Sequence, residues 1–450
     1  MKRVHQLKIS VSGIRGVVGD FLTPNLACAF AQAFGTYVGP GPVVLGRDTR
    51  ATGEMLEHAV TCGLLAAGCE VVKVGIAPTP TIQVYVSEIR ARGGIAVTAS
   101  HNPPEYNALK LFNREGLFFN HYERNELLDL YHQSEFRQAT NSEIRRVVTD
   151  TDTPARRHIA RVLAHVDAER IRGRGFRVAL DGVNGAGSRM SVQFLKDILG
   201  CDLHAIWVDP TKVFPREAEP TPAVLGELQK LIGQVGAEAA FAQDPDGDRL
   251  AVGDETGRIL DNDDVLALAV DCALRRKQGP VVVNLTTSAV IDDVAARHNC
   301  RVYRAPVGEA NVVERMKAVG AVIGGEGSNG GIIFPAVQYC RDSYMGMAFI
   351  LDRMAETGQT LGALAATLPR YYRRLGKMPF EHGRLGQMMQ DLETIFPGAQ
   401  VDRSDGLKLM LAEGWIHVRA SNTEPLLRVA AEAKSQEALE ELYGKATGVA

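Results

Sequence analysis

A chain of 450 residues is long enough for three or four domains of ordinary size, and 45 % apolar with 23 % charged residues is the balance of a soluble globular protein. Lys and Arg (50) nearly match Asp and Glu (53), and the net charge of -3 excludes a broad nucleic-acid or acidic-membrane footprint, so any anion site has to be built locally. No apolar run reaches the ~18 residues of a membrane span, Met1-Lys2-Arg3-Val4-His5-Gln6 lacks the apolar core of a signal peptide, and seven scattered cysteines without Cys-x-x-Cys spacing argue against zinc or a disulfide framework and for a reducing cytoplasm.

Strand-like and helix-like patterns alternate along most of the chain. Pro42 to Gly46 reads as a strand, Met55 to Ala67 as a helix stopped by Gly68, Glu70 to Val74 as a strand, and Gly94 to Val97 as a short buried strand. The polar, charged stretch from Glu135 to Arg156 reads as a linker. Phe176 to Asp181 opens a second unit: strand, loop Gly182 to Gly187, helix to Gly200, and a strand around Ala205 to Val208. A third pass follows with strand Pro280 to Leu285, helix Ala289 to Arg297, strand Arg301 to Arg304 and helix Glu309 to Val319. Three such passes predict three related α/β units. The tail differs: Trp415 to Arg419 and Leu426 to Ala430 read as paired strands and Gln436 to Tyr443 as a helix, a small α+β unit.

Four loops carry chemistry. Thr98-Ala99-Ser100-His101-Asn102-Pro103 follows a buried strand, and ligands gather at the carboxyl ends of such strands. A hydroxyl there can act as a nucleophile or carry a phosphoryl group, although a serine beside a turn is commonly structural. Asp244-Pro245-Asp246-Gly247-Asp248-Arg249 offers three alternating carboxylates that can converge on one hard cation, and Mg²⁺ takes such oxygen ligands. A calcium loop of the EF-hand type would need a terminal Glu that is absent. A phosphoserine of about -2 charge beside three carboxylates needs cations close by, and Arg15, Lys110 and Arg249 are the candidates. Lys110 could also move a proton if burial and neighbouring cations lower its pKa; as a bare pattern it reads equally as a solvated lysine. Gly324 to Gly331 combines close-approach glycines with Glu326, Ser328 and Asn329, suited to sugar hydroxyls, but without the Gly-Lys-Ser/Thr of a nucleotide loop. Arg419-Ala420-Ser421-Asn422-Thr423-Glu424-Pro425, with Arg428 beyond, makes a phosphate cradle or, on spacing alone, a hairpin turn.

In this order the four loops resemble the α-D-phosphohexomutase superfamily of phosphoglucomutases, phosphomannomutases and phosphoglucosamine mutases, from Ser12-Gly13-Ile14-Arg15-Gly16 to Arg428. The resemblance implies three related mixed-sheet α/β domains around a central cleft and a smaller, mobile C-terminal α+β domain, with spans 1–153, 154–256, 257–370 and 371–450. It implies that Ser100 is the phosphoserine and joins Asp244, Asp246 and Asp248 around Mg²⁺. Lys110 is then a general acid/base, with Arg15 and His101 in the catalytic set and Arg249 as a supporting cation. Glu326, Ser328 and Asn329 would hold the sugar, and Arg419, Ser421, Asn422, Thr423 and Arg428 the phosphate that does not react. A hexose 1,6-bisphosphate would be intermediate and activator. The expected partner is a small phosphosugar, with no nucleic acid or membrane, on a cytoplasmic monomer or homodimer. The chain departs from the common bacterial pattern: Asn329-Gly330-Gly331 leaves the sugar loop without its His, and Ser-Asn-Thr-Glu-Pro replaces Ser-Gly-Thr-Glu-Pro. These variants resemble the archaeal-type phosphoglucosamine mutases, which puts glucosamine phosphate first as substrate. Phosphoglucomutase/phosphomannomutase activity comes second, and a metal-dependent sugar-phosphate phosphatase or a non-catalytic phosphosugar-binding module further off.

Overall fold

The computed structural model describes residues 8–10, 13–379, 382–420 and 426–448. Four sheets succeed one another along the chain. The first has seven strands in the order Lys8–Ser10, Gly13–Val17, Tyr106–Phe112, Gly93–Val97, Pro42–Arg47, Glu70–Ile76, Val147–Thr149. Its centre is parallel, and its fully buried Gly93–Val97 strand lies between helix layers, as a continuous apolar run demands. The helices Pro24–Val38 and Gly53–Ala66 pack on one face and Thr79–Glu88 on the other. The second sheet runs Leu250–Asp254, Ala239–Gln243, Arg177–Asp181, Asp202–Ile206, and the third Val302–Ala305, Val281–Asn284, Ile323–Glu326, Gly331–Ile333.

These three sheets share one device. In each, a parallel strand is followed directly by an antiparallel return strand paired beside it: Gly93–Val97 by Tyr106–Phe112, Ala239–Gln243 by Leu250–Asp254, and Ile323–Glu326 by Gly331–Ile333. The serine loop, the aspartate loop and the glycine-rich loop are the three connections, each at the carboxyl end of a parallel strand. The fourth sheet is wholly antiparallel, in the order Tyr372–Pro379, Leu426–Ala433, Gly414–Ala420, Leu407–Met410, Gln400–Asp402, with the helices Leu385–Ile395 and Gln436–Thr447 on its apolar face. The fold is therefore three α/β units followed by a smaller antiparallel unit.

Two readings of the sequence need correction. Residues 135–156 are not a simple linker: Val147–Thr149 adds a parallel edge strand beside Glu70–Ile76, Arg137 donates to the Ala67 carbonyl at 2.6 Å, and a helix begins at Thr153. An edge strand of three residues joins through its backbone and is too short to show a period, so the polar stretch around it hides it. The strand expected around Ala205 to Val208 lies at Asp202–Ile206, because the chain turns at Trp207, whose φ is +54°.

The units are keyed together by buried polar groups. His158 bonds Thr81 Oγ1 through Nδ1 and Asp342 through Nε2, both at 2.9 Å, joining three units at one fully buried ring. The second and third units also share one continuous apolar core, built largely around the helices Asn262–Arg276 and Ser343–Thr357. All seven cysteines carry free thiols. Among the described residues, no helix is long and apolar enough to cross a membrane.

Candidate active site

Ser100 is buried and has φ +50°, a left-handed conformation that costs a non-glycine residue on the order of 1–3 kcal/mol and persists only where the surroundings over-determine it. Arg50 supplies that constraint. Its guanidinium donates to the carbonyls of Ser100 and Asn102 at 2.7 Å, of Pro103 at 2.6 Å and of Tyr106 at 3.1 Å, and to Asp48 Oδ2 at 3.0 Å. Asp48 in turn accepts from Thr98 Oγ1 at 2.7 Å, and Thr98 Oγ1 accepts the Ser100 N–H at 3.0 Å. Neither Asp48 nor Arg50 is an expected site residue. The signal available was Asp-x-Arg directly after the Pro42–Arg47 strand, which pairs in parallel with Gly93–Val97 so that both strand ends meet.

The clamp aims the serine at the second unit. Ser100 Oγ donates to Asp244 Oδ2 at 2.7 Å, although the two residues lie on different units. Asp244, Asp246 and Asp248 are all buried, with one carboxylate oxygen of each within 4.8 Å of the others. Gly247 makes this possible: at φ +67° it reverses the chain between the second and third aspartates. Thr79 Oγ1 donates to Asp246 Oδ2 at 2.5 Å. Lys110 Nζ lies 2.5 Å from the same oxygen and 3.1 Å from Asp248 Oδ2. The other oxygens, Asp246 Oδ1 and Asp248 Oδ1, are buried with no hydrogen-bond partner. Two orphaned carboxylate oxygens beside a third carboxylate are what a hard, oxygen-seeking cation requires, so the residues present fit a divalent metal.

Electrostatics sort the groups. Burial raises the Asp244 carboxyl well above the usual range, and repulsion from Asp246 and Asp248 adds to it. Burial also pushes Asp246 upward, but Lys110 overcomes this and holds it far below the ordinary value. Burial does lower the pKa of Lys110, but Asp246 and Asp248 more than reverse the effect, so it stands above its ordinary value as an ammonium. His101 is pushed down to about 2, by burial first and then by Arg249, Arg15, Arg341 and Lys110; it is a neutral ring at physiological pH, with Nδ1 buried and unbonded. Arg15 donates to Asn102 Oδ1 at 2.5 Å and stands near Asp246 and Asp248, with burial lowering its pKa. The Arg249 N–H donates to Asp244 Oδ1 at 3.1 Å and its guanidinium pairs with Glu219.

In the glycine-rich loop, Glu326 ends the Ile323–Glu326 strand and is buried. Its Oε1 accepts from Asn284 Nδ2 at 2.9 Å and the Gly308 N–H at 2.8 Å. Ser328 and Asn329 lie in the following turn of helix, with Ser328 half-buried. Arg341 connects this loop to the aspartates, donating to Asp248 Oδ2 at 2.8 Å with Nη1 3.8 Å from Glu326 Oε2; nothing in its local sequence marks it. In the fourth unit, Arg419 and Arg428 pair directly across neighbouring strands, and Arg428 pairs on its other side with Lys377. Directly paired residues of an antiparallel sheet share a face, so three cations form a row across three strands. Lys377 completes that row and was not expected from the sequence. Ser421, Asn422 and Thr423 lie outside the described residues.

Models of the four phosphoglucomutase/phosphomannomutase domains match the chain in order: alpha/beta/alpha domain I over residues 6–138, domain II over 156–257, domain III over 261–372 and the C-terminal domain over 385–445. A phosphoglucomutase/phosphomannomutase of Thermococcus kodakarensis is 37 % identical over 434 residues, 94 % of each chain. A "probable phosphoglucosamine mutase" of Methanopyrus kandleri is 36 % identical, over 96 % of this chain and 95 % of its own. A crystal structure of a phosphoglucomutase/phosphomannomutase family protein from Burkholderia thailandensis superposes with a TM-score of 0.84 at 26 % identity, covering 98 % of this chain and 97 % of the other. Fold and matches together define a phosphosugar mutase, an isomerase that moves phosphate within a sugar. The chain belongs to the phosphoglucomutase/phosphomannomutase family of the α-D-phosphohexomutase superfamily.

Proposed function

We propose that this mutase interconverts hexose 6-phosphates and hexose 1-phosphates through a phosphoserine at Ser100 and a hexose 1,6-bisphosphate. The observation that carries the reading is the Ser100 hydroxyl, clamped by Arg50 and 2.7 Å from Asp244 in a buried triad of carboxylates. Asp244, Asp246 and Asp248, with the serine's phosphate, hold Mg²⁺, which when bound neutralises charge on the transferring phosphoryl group. Phosphoryl transfer depends on positioning and charge stabilisation. Lys110, as an ammonium beside Asp246 and Asp248, is placed to protonate the departing serine oxygen and to regain that proton from the attacking sugar hydroxyl, and to run the same relay in reverse when Ser100 is rephosphorylated. Arg15 and Arg249 offset the charge of the phosphates, His101 contributes a neutral ring, and Glu326, Ser328 and Asn329 hold sugar hydroxyls. The row Lys377, Arg428 and Arg419, with Ser421, Asn422 and Thr423, receives whichever phosphate is idle, so the sugar binds in both orientations. Burial of Ser100 and all three aspartates favours transfer to a bound sugar over transfer to water, which argues against the phosphatase reading.

For the sugar, the loop variants put glucosamine phosphate first. The neutral hexoses are the second reading, favoured by Arg341: at 3.8 Å from Glu326 Oε2 it already meets part of the charge that an ammonium on the ring would seek. A coupled assay on phosphorylated enzyme, with Mg²⁺ and a trace of 1,6-bisphosphate, tests both by comparing kcat/KM for glucosamine 6-phosphate, glucose 1-phosphate and mannose 1-phosphate. Preference for the amino sugar supports the first reading and comparable rates on the two neutral sugars the second. Hydrolysis outrunning isomerisation on all three would return the phosphatase.

A further inference from the structure

Arg341 sits where the aspartate loop, the glycine-rich loop and the Glu309–Val319 helix meet, and it is buried. Each part of its guanidinium serves a different carboxylate. Nε donates to Glu309 Oε2 and Nη2 to Asp248 Oδ2, both at 2.8 Å, while Nη1 faces Glu326 Oε2 at 3.8 Å. Its backbone N–H adds a longer bond to Glu309 Oε1 at 3.4 Å. The stem reaches this position over the glycine-rich loop: a Cβ at Gly331 would overlap Arg341 Cδ and lie 2.8 Å from Cγ. The loop is thus bare of side chain where the arginine crosses it. Asp248 shows the result. Its Oδ2 takes both Arg341 and Lys110, and its Oδ1 is left buried without a hydrogen-bond partner.

We propose that Arg341 is a positioning residue for the metal site: its fork, fixed by Glu309 and crossing at Gly331, holds Asp248 Oδ2 so that Oδ1 is presented to the cation, and ties that orientation to Glu326 in the sugar loop. The proposal rests on the reading of the aspartate triad as a divalent-metal site. Geometry, not charge, is what Arg341 adds. Lysine would bring the same charge but only a point donor, unable to hold three carboxylates in one plane, whereas a residue acting by charge alone would be replaced by lysine without loss.

The test is Mn²⁺ binding to the full-length, unphosphorylated protein, followed by electron paramagnetic resonance without substrate, in wild type, Arg341→Lys and Gly331→Ala. Both substitutions preserve every charge, and Gly331→Ala keeps every polar group while displacing the arginine stem. Groups that orient metal ligands typically contribute about 10–100-fold in affinity, so a loss of about tenfold or more is expected in Arg341→Lys. A smaller loss in the same direction is expected in Gly331→Ala, in protein that melts as wild type does. Wild-type affinity in the folded variants overturns the role of Arg341 and leaves the metal site standing. Wild type that binds Mn²⁺ no better than Asp246→Asn overturns the metal-site reading and this inference with it.

Discussion

Ser100 and Arg50 act as one device. The serine stands in a backbone conformation it would not choose, and the five hydrogen bonds of Arg50 fix the loop around it, so the hydroxyl meets the aspartates already oriented. Ser100→Ala is expected to lower kcat by about 10⁴-fold or more, as loss of a nucleophile does, while phosphosugar binding measured by calorimetry persists; near-normal turnover would remove the serine from the reaction. Arg50→Ala leaves Asp48 buried without its cation, and breaking such a pair costs about 3–5 kcal/mol, read as a lower midpoint of denaturant unfolding. Of this device the sequence showed the serine but not its clamp. Ser100 stands in a short recognisable string, whereas Arg50 matters through carbonyls of residues 100 to 106 that only the strand pairing brings to it. Arg341 and Lys110 are similar cases. Lys110 was legible as a cation, yet the sign of its pKa shift depended on which oxygens it would touch.

At the scale of elements, the sequence showed strands, helices and the three-fold rhythm well, because buried parallel strands are continuous apolar runs bounded by turns. It concealed the edge strand Val147–Thr149, whose pairing is a backbone matter. It also concealed the placement of all three loops between a parallel strand and its antiparallel return, since strand order is not written in periodicity. The antiparallel unit makes its own point. Lys377, Arg428 and Arg419 occupy one register across three strands, an arrangement that like charges resist by about 0.2–1 kcal/mol per opposed pair and that anion binding can offset. Arg428→Ala is therefore expected to raise KM by about 10–100-fold, the loss of a hydrogen bond to a charged group at ~1.5–3 kcal/mol. The melting temperature should stay level or rise slightly. An unchanged KM would take Arg428 out of the phosphate cradle.

Across the whole molecule, the four units are held by seams of buried polar contacts. The ring of His158 links three of them, and Arg373 and Lys408 fasten the fourth to the third, with Arg373 donating to the Thr286 carbonyl at 2.9 Å and Lys408 to that of Leu285 at 2.6 Å. Such contacts could not be read from the sequence, where a buried histidine and a buried lysine look like any others. Beside this seam, in a cavity of about 680 Å³ that Arg373 also lines, burial and then Asp261 push the Asp264 carboxyl up to about 6. At Asp264 the folded protein thus keeps a proton that the unfolded chain has released, and this group's contribution to stability falls as pH rises from about 4 to 6, by about 2 kcal/mol. Asp264→Asn is expected to lose that contribution, so that its stability relative to wild type rises between pH 4 and 6 and it is the more stable protein at neutral pH; identical pH–stability curves would contradict the assignment.

In the proposed reaction Ser100 carries the phosphoryl group between the two ends of the sugar. The most direct measurement is intact-protein and peptide mass spectrometry of wild type and Ser100→Ala after exposure to glucose 1,6-bisphosphate with Mg²⁺, followed by a chase with a hexose monophosphate that the mutase assay shows to be turned over. One phosphoryl group is expected on wild type, located at Ser100 and removed by the chase as bisphosphate forms, and none on the variant. A wild type that turns over hexose phosphate without ever carrying phosphate at Ser100 would contradict that route.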